Sequence, residues 1–350
     1  MTCFRIDESG YTGFDLLNLD QRFQGATAIA IENDDAAALI RHYFPRLQAP
    51  ELKFSALSRR PSNHVPLLAL LSDLLADYKS VTYVCDKRFL LTLMFLEFAV
   101  EPFYYERDIT FYEHGQNFTL GSILYRFGPT LLGDGRFEKL LAAFQCAVKE
   151  KSPKALGDLV DAARRTSWRE LPEALGPIVE AAPECLAAIA VPGVTTDAAM
   201  VVLQGLISRM EAMSEGPYRV EHDQSKNLET YHQLIRSFIE HEADVEFRTS
   251  EVATLKFPLK LTGVVQVDSK DSPAVQLADV LIGAVLEVTN TLSGFRKGGL
   301  DPDKVIQLFA EDQIIHLLPS TDIEEQRRFR AGTQGAEIVD YFAANFGVQK

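Results

Sequence analysis

PAVQLADVLIGAVLEV, residues 273–288, is the stretch from which the rest of the chain is read. It reads as an apolar core helix with one carboxylate, Asp279, near its middle. Burying an unpaired carboxylate costs several kcal/mol, so Asp279 requires a cation or strong donors close by. Gln276 lies one turn before it and Gly283 one turn after. The three share a face, and a polar notch opens on an otherwise apolar helix. Asp271 or Ser272 reads as the helix cap, with Pro273 placed in the first turn.

Working outward, Asp268 ends a strand-like run, GVVQVDSKDS. The same form recurs along the chain. CFRID ends at Asp7 before the turn-rich ESGYTG, SVTYVCDK carries Asp86, and GPYRVEHDQSK carries Asp223. GATAIAIEN and VEFRTSEV supply further strands, and FPLKLTGVVQVDSK contains the one ending at Asp268. Between them lie helical patterns: DDAAALIRHYF, opened by Asp34 or Asp35, then SNHVPLLALLSDLLADY, FLLTLMFLEFAV and NLETYHQLIRSFIEH. DPDKVIQLFAED and AEIVDYFAANFG close the chain. From about 115 to 215 the texture changes to Ala, Leu and Glu at helical spacing, broken at Pro153, Pro172, Pro183 and Pro192. That stretch predicts four or five packed helices. The whole predicts an α/β fold with acids at one sheet edge, where open sheets bind ligands.

The bulk numbers set limits. At 350 residues, 47% hydrophobic and 24% charged, the chain has room for one domain with an insertion, or for two domains. A net charge of −14 argues against gripping long stretches of nucleic acid through phosphates alone. The basic pairs Arg59-Arg60, Lys87-Arg88, Arg164-Arg165 and Arg327-Arg328 read as solvated surface. Cys3, Cys85, Cys146 and Cys185 are scattered, which points to a reducing compartment without disulfides. The opening MTCFRIDESG lacks signal-peptide features, and the most apolar run, CLAAIAVPGVTTDAAMVVL, is broken by Pro192 and Asp197. The expectation is a cytoplasmic protein without a membrane span. His222, His232 and His241 have no zinc spacing and read as surface or supporting residues, and no GxSxG, P-loop or GxGxxG occurs.

The acids therefore hold the chemistry. Hard cations such as Mg²⁺ take oxygen ligands and keep several waters. Two of them about 3.5–4 Å apart can drive phosphodiester cleavage, given three or four carboxylates from separate elements. Asp7, Asp86, Asp223, Asp268 and Asp279 could supply these. Plainer roles compete: Asp7 could hold its turn, Asp86 an ion pair, Asp223 a helix cap and Asp268 a bridge to Lys270. Strand alternation groups Asp7 with Arg5 and Ser9 and turns Glu8 to the other face.

IDESGYTG (Ile6–Gly13), LKFSAL around Lys53, EHDQSK (Glu221–Lys226) and above all VDSKDSPAVQLADVLIGAV resemble the marks of domain-of-unknown-function family 3800. The resemblance covers roughly 1–113 and 216–295. It implies a ribonuclease H-like mixed sheet flanked by helices, with 1–113 and 216–350 as the core and 114–215 as an all-helical insertion. It also implies a metal-dependent nuclease, set among mobile elements or phage defence. On that basis Asp7, Asp223 and Asp279 would bind Mg²⁺ or Mn²⁺, and Asp268 would assist. Lys53 would contact a phosphate or pair with an acid, with Glu8 and Gln276 in support. The partners implied are DNA or RNA as substrate and a protein docked on the helical segment. A second copy of the chain is a further candidate partner. Two rivals stand beside this reading. One is a catalytically degenerate interaction module that binds a protein through the helices. The other is a metal-dependent phosphatase on small substrates.

Overall fold

A computed structural model describes residues 1–109, 111–112, 115–224, 226–248 and 254–346. His114 at the expected boundary, Ser225 of EHDQSK and residues 249–252 of the expected strand VEFRTSEV lie outside the described residues.

The chain opens with β1 (Thr2–Ser9) and β2 (Phe23–Ile29), then α1 (Asn33–Tyr43), the single turn α2 (Phe54–Leu57) and α3 (His64–Asp77). β3 (Ser80–Asp86) runs directly into α4 (Lys87–Ala99) and the short α5 (Glu101–Tyr105). Six helices follow among the described residues: α6 (Gln116–Leu131), α7 (Arg136–Glu150), α8 (Pro153–Arg164), α9 (Pro172–Val179), α10 (Pro183–Ala190) and α11 (Ala199–Met213). The sequence led us to expect four or five; α9 and α10 are short helices divided at Pro183. The chain then returns to strands with β4 (Tyr218–Asp223), α12 (Lys226–Ile239), β5 (Val245–Arg248), β6 (Thr254–Phe257) and β7 (Leu261–Val267). It ends with α13 (Pro273–Leu292), α14 (Pro302–Ile306), β8 (Ile314–Leu317), α15 (Ile323–Arg330) and α16 (Gly335–Phe346).

The fold is mixed α/β. Six strands form one sheet in the order β7-β4-β1-β2-β3-β8, and β5-β6 pair separately. Only β2 runs against its neighbours; β1, β3, β4, β7 and β8 point the same way. Their C-terminal ends share one edge, so Asp86 and Asp223 end their strands there and Asp268 follows directly after β7. The expected gathering of strand-end acids at one edge is what the backbone produces.

Each face of the sheet is covered. α13 packs on β1 and β2, backed by α1 and α14. It buries residues all round, from Leu277 and Leu281 against α1 and α3 to Ile282 and Val285 on the strand side. Gly25 of β2 permits the close approach: a Cβ there would lie 2.8 Å from Ile282 Cδ1 and 2.3 Å from Tyr83 O. α13 has 20 residues and is long and apolar enough to cross a membrane. Here it is the core helix. On the other face, α11 lies on β2 and β3, with Gly205 making room for the Tyr83 ring. A single apolar cluster runs from Phe4, Ile6 and Val81 through α4 into α7, α8 and α9. The helices of 116–213 thus share one core with the sheet.

Neither α1 nor α13 is capped as its local sequence suggests. Asp34 and Asp35 lie in the first turn of α1, and Glu32 occupies the cap position without a side-chain bond to the helix. Ser272 stands at the cap of α13 but does not bond its N–H groups. Asn33 does so instead: its Oδ1 accepts from Ala274 N–H and Ser272 Oγ, both at 3.1 Å. Removing a capping side chain costs about 1 kcal/mol. Asn33→Ala is therefore expected to lower the unfolding free energy by that amount, read by far-ultraviolet dichroism as a lower urea midpoint with an unchanged slope.

Candidate functional site

β1 and β4 lie side by side and parallel, with Arg5 opposite Glu221 and Ile6 opposite His222. The next step in that register brings Asp7 beside Asp223. Alternation puts both on the face covered by α13, together with Arg5 and Glu221. α13 packs across β1, and Asp279 enters from it. Burial, joined by the negative charges of Asp279 and Asp223, pushes the Asp7 carboxyl up to about 8, against the Glu8 N–H and the Lys53 ammonium. Asp279 is also raised, by burial first, with the Phe54 N–H and Lys53 opposing. Three carboxylates from three distant segments thus act on one another through a largely buried space.

Each acid is held by backbone donors through one oxygen. Asp7 Oδ1 accepts from Glu8 N–H at 2.8 Å. Asp223 Oδ1 accepts from Gln224 N–H at 2.8 Å and Ser269 N–H at 3.1 Å. Asp279 Oδ2 accepts from Phe54 N–H at 2.7 Å. The second oxygen of each makes no hydrogen bond among the described residues. Three oriented oxygens are therefore left over, a donor set of the kind hard divalent cations take. As they stand, no group of three His, Cys, Asp or Glu side chains among the described residues is close enough to hold an ion. The acids are within electrostatic reach of one another but not drawn together.

The segment before α2 brings the positive charge. Gln276 Oε1 accepts from Leu52 N–H at 2.8 Å, while its Nε2 donates to Ser269 O at 2.6 Å. With the Asp279 bond to Phe54, the polar notch of α13 grips this segment at two points and presents Lys53 between them. Lys53 Nζ pairs with Glu51 Oε1 at 2.7 Å. Burial disfavours its charge, yet Glu51, Asp279 and Asp7 outweigh that and hold the ammonium above its usual value. Glu51 also accepts from Ser269 Oγ at 2.5 Å. Burial opposes its ionisation, but Lys53 and Ser269 keep its pKa below the usual range.

No family model, no curated protein and no solved structure matches this chain. What the acids do is therefore argued from the geometry just described.

Asp268 and Glu8 are placed apart from the other acids. Asp268 Oδ1 accepts from Lys270 N–H at 2.9 Å, and its carbonyl from Asp271 N–H at 3.0 Å, so it shapes the turn that carries Ser269. β1 extends to Ser9, which leaves Glu8 on the opposite face, where it acts on Tyr11. Asp86 caps α4 by accepting from Phe89 N–H and pairs with Arg22 at 2.9 Å. Two readings change. Lys87 is fully buried rather than solvated, and its Nζ donates to Gly10 O at 2.9 Å and Thr12 Oγ1 at 2.7 Å. It braces the loop that leaves β1, and burial lowers its pKa to about 8. His222 is likewise fully buried, facing His232 at 3.0 Å between Nε2 atoms. Glu51 and Ser269 were missed; the spacing of Glu51 and Lys53 in ELKFS is the one local hint of their pairing.

The crowding of Asp7 has a consequence for stability. Its folded pKa lies above the unfolded value, so the folded state keeps a proton that the unfolded state loses. Stability therefore falls as pH rises from about 4 to about 8, and levels off above that. Asp7→Asn removes this penalty and retains the Oδ1 acceptor. In chelator, urea unfolding is expected to find the variant equal to the wild type at pH 4. At pH 8 it should be more stable by on the order of 5 kcal/mol.

Proposed function

We propose that this chain is a metal-dependent phosphodiester hydrolase with a ribonuclease H-like core, into which the helices of 116–213 are inserted. The observation that carries the reading is the trio Asp7, Asp223 and Asp279. They come from a first strand, the parallel strand beside it and a helix laid across both. Each keeps one oxygen free of hydrogen bonds, and together they have too little positive charge around them. A mixed sheet in which only the second strand runs antiparallel supports the same core. The first four residues of IDESGYTG end β1, the rest form the loop that follows, and QLAD lies on α13.

In this reading Asp7, Asp223 and Asp279 hold Mg²⁺ or Mn²⁺. The cation supplies Lewis acidity toward a phosphoryl oxygen and eases the deprotonation of water. The chain's own residues do the rest. The Glu8, Gln224, Ser269 and Phe54 N–H groups each hold one oxygen of the three carboxylates and leave the other free for a cation. Lys53, steadied by Glu51, offers an ammonium to a non-bridging phosphate oxygen. α13 and the loop braced by Lys87 keep bulk water from the buried side. Because the carboxylates are not in coordinating contact, the cation would have to draw them closer, and its affinity would be modest.

A specific observation favours a second reading. The absence of a ready three-ligand group among the described residues, with a net charge of −14, suits a degenerate module that binds a protein through its helices.

Asp279→Asn decides between them, since asparagine keeps an oxygen for Phe54 N–H while giving up the charge. Mn²⁺-dependent cleavage of single- and double-stranded DNA and RNA is expected to fall about a hundredfold or more, with the melting temperature in chelator unchanged or raised. Undiminished cleavage by the variant, or no Mn²⁺ binding to the wild type at millimolar concentration by calorimetry, would sink the hydrolase reading.

A further inference from the structure

Beside the three acids lies a cavity of about 200 Å³. That is well beyond the ~10–15 Å³ needed to admit one water. It shares three elements with the acid site. Ser9 lines it, two residues beyond Asp7 on the same face of β1. Gly283 lines it, one turn beyond Asp279 on the same face of α13, about 6 Å along the axis. Phe54 lines it, and its N–H is the one held by Asp279. The cavity is the continuation of the acid site along β1 and α13.

Its far wall is cationic. Arg22, Arg296 and Lys297 line it, against the carboxylates of Asp20 and Glu287. Glu287 is already engaged, its Oε1 accepting from Gly299 and Leu300 N–H at 3.0 and 2.9 Å. The cations keep unused donors. Arg22 is fixed by Asp86 and Tyr125 through Nε and Nη2, and its Nη1 has no partner among the described residues. Arg296 donates only to Asp20 O, at 3.2 Å, among the described residues. Lys297 has no ion pair or hydrogen bond among them, and is exposed. In a chain with a net charge of −14, three cations with free donors around one cavity favour an anion. Phe54 and Phe23 add apolar surface beside them, which suits a sugar or base joined to that anion.

We propose that this cavity is the subsite for a phosphate-bearing nucleotide unit, the one next to the bond at the acids. The inference rests on the hydrolase reading for its place in the substrate, but not for its binding chemistry. Arg22, prepositioned by Asp86, and the exposed side chains of Arg296 and Lys297 hold the phosphate oxygens. Ser9 and Phe54 mark the path back to Asp7 and Asp279.

The test is binding in chelator, where cleavage plays no part. Adenosine monophosphate, inorganic phosphate and adenosine are titrated by calorimetry at low salt into three proteins. These are the wild type, Asp279→Asn, and a double variant carrying Arg296→Glu and Lys297→Glu. Both changes in the double variant are at exposed positions, and its melting temperature serves as the check on folding. The expected result is that adenosine monophosphate binds the wild type and Asp279→Asn alike, with adenosine far weaker. The double variant should lose about tenfold or more in affinity. With a cleavable polynucleotide, the double variant should raise KM while changing kcat much less. Equal binding of adenosine monophosphate by the wild type and a folded double variant overturns the subsite, as does no binding to the wild type. Phosphate-dependent binding lost in the double variant upholds the subsite even if no protein cleaves, a result that would count against the hydrolase reading alone.

Discussion

Two backbone bonds fasten the segment Leu52–Phe54 to α13, and the charged groups of the site take their positions from them. Between Pro273 and Leu286, Gln276 and Asp279 are the polar side chains of a helix otherwise buried among aliphatic ones. A buried amide and carboxylate must find partners, and the N–H groups of Leu52 and Phe54 provide them. Lys53 is thereby placed between the two bonds, toward Asp279 and Asp7. Gln276 also holds the Ser269 carbonyl, while Ser269 holds Asp223 and Glu51. One helical notch thus ties together β4, the turn after β7 and the segment before α2.

The arrangement is costly to the fold. Asp7, Asp223 and Asp279 are crowded on the buried side of the sheet, and Lys53 is the cation that opposes the rise of both Asp7 and Asp279. Lys53 is itself shared with Glu51. Contrast Arg5, two residues before Asp7 on the same strand. It is as deeply buried, but Glu221, Glu32 and the Ile31 carbonyl satisfy it. The same sheet face can therefore balance a charge when it needs only structure. The imbalance at the C-terminal edge of this face marks a place where stability has been given up for something else.

How far this could be read in the sequence depends on whether a residue's partners are local. The strands ending in acids, the apolar helix and the isolation of Asp279 are local patterns, and they were legible. So was the separation of Asp7 from Glu8 by alternation. The cap of α13 was not, because Asn33 is the first residue of α1 and meets Ala274 only through the tertiary fold. β8 has four residues and follows a helical pattern, too short for periodicity to reveal. Lys87 looked solvated beside Arg88, since nothing nearby announces that Gly10 and Thr12 bend back to receive it. Asp268 looked like its neighbours in form, yet turn geometry has claimed its carboxylate.

The total charge of −14 is the strongest objection to a polyanionic substrate, and distance weakens it. At physiological salt the Debye length is about 8 Å, so acids on remote surfaces contribute little to the potential in a given cleft. What counts is the sign of the charges lining the path. At the acid end Lys53 faces the carboxylates, and in the adjoining cavity Arg22, Arg296 and Lys297 outnumber Asp20 and Glu287. Under the proposed function, a phosphate entering by way of this cavity would meet cations before carboxylates. That order suits a substrate whose negative charge is tolerated by the acids only once a divalent ion sits among them.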